Sequence, residues 1–211
     1  MALRRTLRSA LPGFLLAVLI GLVLSSCGSP ANPGPAPSPT SASAGQSSPP
    51  PTPDPRPTPA SSTGPARNQP KPVLPDAAKQ NTKEGFAAFT QYWFDTVTYG
   101  LETGDSGPLK EISLPDCKMC NGYLSEAENV SGGAGWHVGP RWKVSGFTSD
   151  MSVDPAGQAL GYFFLEESPS EDYLPTGERK ERLEPEADKH PKTIYALHRK
   201  GRWFAAQAGQ A

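Results

Sequence analysis

Apolar and polar positions fall into three regimes along this chain. A nearly unbroken apolar run from Leu11 to Leu24 comes first, and a stretch from Gly28 to Pro72 without any bulky apolar residue follows. Beyond about residue 76 the apolar positions become periodic. Phe86, Phe89, Trp93 and Val97 fall on one face at helical spacing, with Tyr92 and Leu101 at its edges, which predicts a long helix. Asp76 can cap a short turn ahead of it, Asn81 or Thr82 can start it with Glu84 placed as in a capping box, and Gly104 sits where it should end. A second short helix is expected from Pro108, turning Leu109 and Ile112 inward. A third is expected from Pro115 or Asp116, with Cys117, Cys120, Leu124, Ala127 and Val130 on one face and Gly132-Gly133 as its stop.

After Gly133 the period changes from helical to alternating. Strands are predicted over Trp136–Val138, Trp142–Thr148, Ala159–Glu166, Thr193–Arg199 and Arg202–Ala206, with Lys200-Gly201 as the tight turn of the last hairpin. The segment Ser168–Pro191, rich in Glu, Lys, Asp and Pro, is expected to be a solvated, mobile loop. Helices followed by antiparallel strands argue for an α+β domain, its helices packed on one face of a curved sheet.

Composition places that domain in the last two thirds of the chain. Of the aromatic residues only Phe14 precedes Phe86, so the packing material lies after the proline-rich stretch. The expected organisation is a leader over 1–26, a lipidated Cys27 with a disordered linker to residue 72, and a globular domain over 73–211. The linker, as in PANPGPAPSPTSASAG, cannot bury enough surface to offset ordering entropy, and at about 3.1 Å per residue it could stretch to roughly 140 Å. It reads as a spacer rather than a recognition motif, since its prolines lack aromatic or basic companions.

The leader has a basic start (Arg4, Arg5, Arg8), the apolar run, and small residues Ser25 and Ser26 before Cys27. Leu24-Ser25-Ser26-Cys27 resembles a lipobox, in which the cysteine thiol takes a diacylglyceryl group and becomes the first residue. A permanent transmembrane anchor would leave that ending unexplained, and the apolar run is short for a span. The expected location is the outer face of a cell membrane, with the membrane as partner through the lipid. Loss of the leader arginines leaves 17 basic against 21 acidic residues, a net of −4, which argues against a nucleic-acid partner.

The stretch LPDAAKQNTKEGFAAFTQYWFDTVTYGLETGD, then LKEIS, the CKMC pair, the Gly-Gly break and the closing LHRKGRWFAAQ resemble a group of actinobacterial lipoproteins known as a domain of unknown function, over about residues 70–207. More distantly the chain is similar to the cone-shaped α+β fold of nuclear transport factor 2-like and SnoaL-like domains. That likeness implies a curved sheet wrapping a long helix and no particular reaction, because the cone hosts enzymes and binding modules alike.

With Cys27 lipidated, Cys117 and Cys120 remain as a pair, for which a structural disulfide is the expected state outside the cytoplasm. A thioredoxin-like redox role needs a βαβ context that the preceding LKEISLPD does not provide. Zinc needs more ligands than the scattered His137, His190 and His198 supply, and no cofactor or metal is expected. Tyr92, Trp93, Phe94 and Tyr99 with Tyr162, Phe163 and Phe164 could line a cavity, though core packing explains the same residues with no ligand and is the preferred reading. In a cavity Asp95 or Glu102 could act as a base; otherwise both are solvated helix charges. No catalytic residue is assigned. The functional expectation is a non-catalytic binding or accessory module at the cell envelope, the alternatives being a cone-type enzyme or carrier for a small apolar ligand and a thiol exchange protein.

Overall fold

A computed structural model describes residues 55–185 and 190–210. The leader, Cys27 and residues 28–54 of the linker lie outside the described residues. The described chain is α+β: helices α1 (Lys83–Thr103), α2 (Gly107–Glu111) and α3 (Lys118–Ser131) precede strands β1 (Trp136–Val138), β2 (Trp142–Thr148), β3 (Gln158–Glu167), β4 (Ser170–Tyr173), β5 (Arg179–Leu183), β6 (Lys192–Arg199) and β7 (Arg202–Gln210). A 3₁₀ turn, Asp76–Lys79, comes before α1. The strands form two antiparallel sheets, one of four strands in the order β2-β3-β6-β7 and one of three in the order β1-β4-β5.

α1 is the axis of the domain. Thr82 caps it by accepting the Gly85 N–H, and Gly104 closes it in the left-handed conformation at φ 79°. Phe86, Phe89, Trp93 and Val97 lie against the four-stranded sheet and its flanking helices as the periodicity predicts. Phe86 stacks on Trp203 of β7 at 4.6 Å, and Phe94 meets Phe163 of β3 edge-on at 5.8 Å. Thr90 and Thr96, both buried, return their hydroxyls to the backbone carbonyls of Phe86 and Trp93. Gln91 reaches sideways to the edge of the sheet. Its amide oxygen accepts the Val144 N–H at 2.8 Å, and its amide nitrogen donates to the Trp142 carbonyl at 2.9 Å, so a side chain stands in for a missing strand beside β2.

Two expectations are corrected. The segment Ser168–Pro191 is not simply a loop, because within it β4 and β5 form a hairpin that pairs with β1. Its charges hide the strand pattern, yet they pair across the ladder: Glu171 of β4 holds Arg179 at 2.9 Å and Arg182 at 3.0 Å. A hydrogen bond from Tyr173, joined by those two guanidiniums, keeps the Glu171 carboxyl below the ordinary carboxylate range. Tyr173 also stacks on Trp136 at 5.3 Å, giving the small sheet a core of its own with Val130.

The second correction concerns the domain boundary. Residues 58–67 fold back as a narrow hairpin, with Thr58 and Arg67 exchanging backbone hydrogen bonds at 2.8 Å. This arm is tied down by the Trp136 indole N–H to the Ser61 carbonyl (2.7 Å), by the Ala66 N–H to the Glu102 carbonyl (2.9 Å), and by Lys71 to Asp105 (2.9 Å). Its own backbone groups, the buried Ala66 and the Lys71 ion pair hold it, so the absence of bulky apolar residues gave no sign of order. Only the last part of what composition assigned to the spacer is described, and residues 58–71 of it lie against the packed chain.

Gly85 sits where the 3₁₀ turn crosses the first turn of α1. A Cβ there would lie 2.1 Å from the Gln80 carbonyl oxygen and 2.8 Å from that of Ala77, backbone atoms that cannot rotate away. Gly85→Ala is expected to cost about 3 kcal/mol, the upper end of overpacking, and to lower the melting temperature by roughly 6–12 °C in thermal unfolding. A chain shortened to begin at Val73 loses the arm, and its unfolding free energy in urea is expected to fall by about 1–3 kcal/mol relative to a chain beginning at Pro55. Equal stability of the two would mean that the arm contributes nothing.

Candidate functional site

Strand alternation divides the four-stranded sheet into an inner and an outer face. Phe163, Gly161 and Ala159 of β3, Ile194 and Ala196 of β6, and Trp203 and Ala205 of β7 point inward and are buried. The outer face carries Leu160, Tyr162 and Phe164 of β3, Tyr195 and Leu197 of β6, and Phe204 of β7, brought side by side by the Leu160↔Tyr195 and Leu197↔Phe204 register. Tyr162 and Phe164 remain 41% and 44% exposed, unusual for large apolar side chains at the centre of a sheet. The Phe204 end is capped, with Arg199 at 4.6 Å and Arg202 at 5.9 Å from the ring centre. At the same strand ends but on the β2 side of the face, the loop 149–157 between β2 and β3 leaves a groove of about 640 Å³ floored by Leu160, Tyr162 and Tyr195.

The residues grouped as a possible cavity lining thus separate. Trp93, Phe94 and Phe163 fill the space between α1 and the sheet, while Tyr162 and Phe164 face away from it. Alternation along Tyr162-Phe163-Phe164 was the signal that could have told the three apart. Asp95 and Glu102 share a shallow cleft of about 240 Å³ with Tyr99 and Arg141. Asp95 accepts from the Gln91 amide at 2.9 Å. Glu102 is nearly enclosed and paired with Arg141 at 2.7 Å, where it joins α1 to the chain leading into β2. Glu102 is therefore engaged in the fold, whereas Asp95 stays exposed on α1.

His137 of β1 lies 2.7 Å from Asp172 of β4 beside a pocket of about 290 Å³. His198 of β6 packs edge-on to Trp203 and bonds the Lys79 carbonyl at 3.1 Å. His137 and His198 stand on different sheets and His190 lies between β5 and β6, and among the described residues no group of three or more His, Cys, Asp or Glu side chains is placed to hold a metal ion.

Cys117 and Cys120 are bonded to each other across the first turn of α3, where the Cys117 sulfur also accepts the Cys120 N–H at 3.2 Å. Both are 0% exposed, packed with the α1 core. An attacking thiolate has no approach to such a bond in the folded state, which favours a structural role over exchange. Replacing both by Ala should cost about 2 kcal/mol for so short a loop, lowering the melting temperature by roughly 4–8 °C. The native bond should resist thiol reductants until the domain unfolds; reduction of the folded protein at the rate of an exposed disulfide would reverse this reading.

No curated protein matches the chain, and no solved structure matches it, so the likeness to the cone-shaped fold finds no structural neighbour. One family profile does match, over residues 56–209, beginning where the arm begins and ending within β7. That span is well over half of the sequence, and the chain belongs to this family, described as a family of unknown function (DUF6318).

Proposed function

We propose that this protein is an exported lipoprotein, anchored through Cys27 to the outer side of a cell membrane, whose domain is a non-catalytic binding module. The observation that carries the module reading is the contrast between the two faces of the four-stranded sheet. The inner face is closed by Phe86, Trp93, Phe94 and Trp203, whereas the outer face keeps Tyr162 and Phe164 in water. Leaving such rings exposed costs solvation free energy that a bound partner would recover. A cone-type enzyme or carrier for a small apolar ligand would need an open apolar cavity beside α1, and core side chains occupy that space.

The anchor reading rests on the leader and on the order of the segments. A charged start, an apolar run and Ser25-Ser26-Cys27 precede a proline-rich stretch suited to hold a folded unit clear of lipid. Among the described residues no helix is long and apolar enough to cross a membrane. Two acyl chains on Cys27 would give stable attachment where one is marginal.

Expressed in a bacterium that processes lipoproteins, the full chain is expected to enter the membrane fraction, with a diacylglyceryl mass on an N-terminal Cys27. Cys27→Ala should abolish both the mass and cleavage at that bond. A Cys27→Ala chain cut at the same bond and held as firmly in the membrane would refute the anchor.

A further inference from the structure

The groove on the β2 side of the outer face, away from the covered Phe204 ring, combines two kinds of surface. Its floor is the pair of rings Tyr162 and Tyr195 with Leu160, and its wall carries Ser149, Asp150 and Gln158. No Lys, Arg or His lines it, so nothing there would compensate a phosphate or carboxylate ligand. Its open, half-polar lining is equally unsuited to an acyl chain. The two carboxylates that border it are occupied in shaping the loop. Asp150 Oδ1 accepts the Ser152 N–H at 3.0 Å, and Asp154 Oδ1 accepts those of Ala156 and Gln158 at 2.8 and 2.9 Å. Their charge is directed at backbone amides rather than toward a cation.

A sugar ring has the complementary chemistry. One or both of its faces are covered by C–H groups that pack on an aromatic ring, while its edge carries hydroxyls that both donate and accept. Tyrosine rings fixed on strands offer such a platform at small entropic cost, and the groove falls within the range of about 300–1,000 Å³ usual for ligand sites. Phe164 continues the row two residues along β3, about 7 Å beyond Tyr162, so the aromatic surface extends past a single ring toward a chain of them. We propose that this groove is a carbohydrate subsite that takes neutral sugar units of a polysaccharide, an inference that rests on reading the domain as a binding module.

The full-length protein in detergent micelles is tested against three neutral polysaccharides (dextran, a mannan and an arabinogalactan), against hexalysine, and against phosphatidylglycerol vesicles. Saturable binding of at least one polysaccharide is expected. Tyr162→Ala should weaken it by about tenfold, the scale expected when one stacking ring is lost, without changing the melting temperature. Tyr195→Ala should act in the same direction, and Leu183→Ser on the separate small sheet should have no effect. If no polysaccharide binds, or if binding survives both tyrosine substitutions, the inference is overturned. Binding of hexalysine that is lost in Asp150→Asn and Tyr162→Ala would overturn the sugar assignment and leave the module reading standing. Polysaccharide binding indifferent to Tyr162→Ala, Tyr195→Ala and Phe164→Ala together would overturn the outer face as the binding surface as well.

Discussion

A helix of 21 residues that buries 13 of them cannot be satisfied by one neighbouring face. α1 carries Phe86, Phe89, Trp93 and Val97 toward one side and Tyr92, Phe94, Thr96 and Leu101 toward others, so it has to be wrapped. The four-stranded sheet covers one side and the 3₁₀ turn with α2 and α3 covers most of the rest, leaving Asp95 exposed, and the disulfide fastens the start of α3 to the same core. Most of the remaining features supply polar partners where this wrapping would leave backbone groups dry. Gln91 completes the edge of β2, the Ala205 N–H bonds the Ile112 carbonyl beside β7, and the arm meets the end of α1 at Glu102. Among the described residues every buried side-chain nitrogen and oxygen has a partner.

Enclosure of α1 also decides where a partner can be met. With the inner side of the sheet committed to the helix, surface of mixed aromatic and polar character remains on its outer side, where Tyr162 and Phe164 stand out. Two basic side chains cover the ring of Phe204 and leave those of β3 bare, so the face passes across the sheet from a shielded edge at β7 to open rings on β3. The loop 149–157 borders the open rings of β3 and is held by side-chain to backbone hydrogen bonds from Ser149, Asp150 and Asp154. A surface of this kind is preformed, which keeps the ordering cost of binding low.

Helices and four-stranded sheet were legible in the sequence because burial imposes period. The 3.6-residue repeat from Phe86 to Leu101 and the Lys200-Gly201 turn between two alternating runs left little freedom. Two regions escaped because apolar burial contributes little to them, the small sheet's own core being only Val130, Trp136 and Tyr173 with Val138 beside it. The β4–β5 hairpin is knit by cross-strand ion pairs around Glu171, and its charged residues look the same as those of a solvated loop. The arm is held largely through its own backbone groups, which leave no trace in its side-chain composition. The candidate site was half visible. The aromatic triplet Tyr162-Phe163-Phe164 stood out, but assigning all three to one environment overlooked that neighbours on a strand face opposite ways. The groove depends on a loop whose nearness to Tyr195 follows only from the β3–β6 register.

Enclosure of α1 is measured most directly by native-state amide hydrogen exchange along the helix. If the sheet and the flanking helices close around it, amides from Phe89 to Leu101 exchange only through global unfolding, with one shared free energy equal to that from denaturant melts. Rapid exchange of those amides through local opening, while the strands stay protected, would mean that the helix is not enclosed and that the space beside it is open to a ligand.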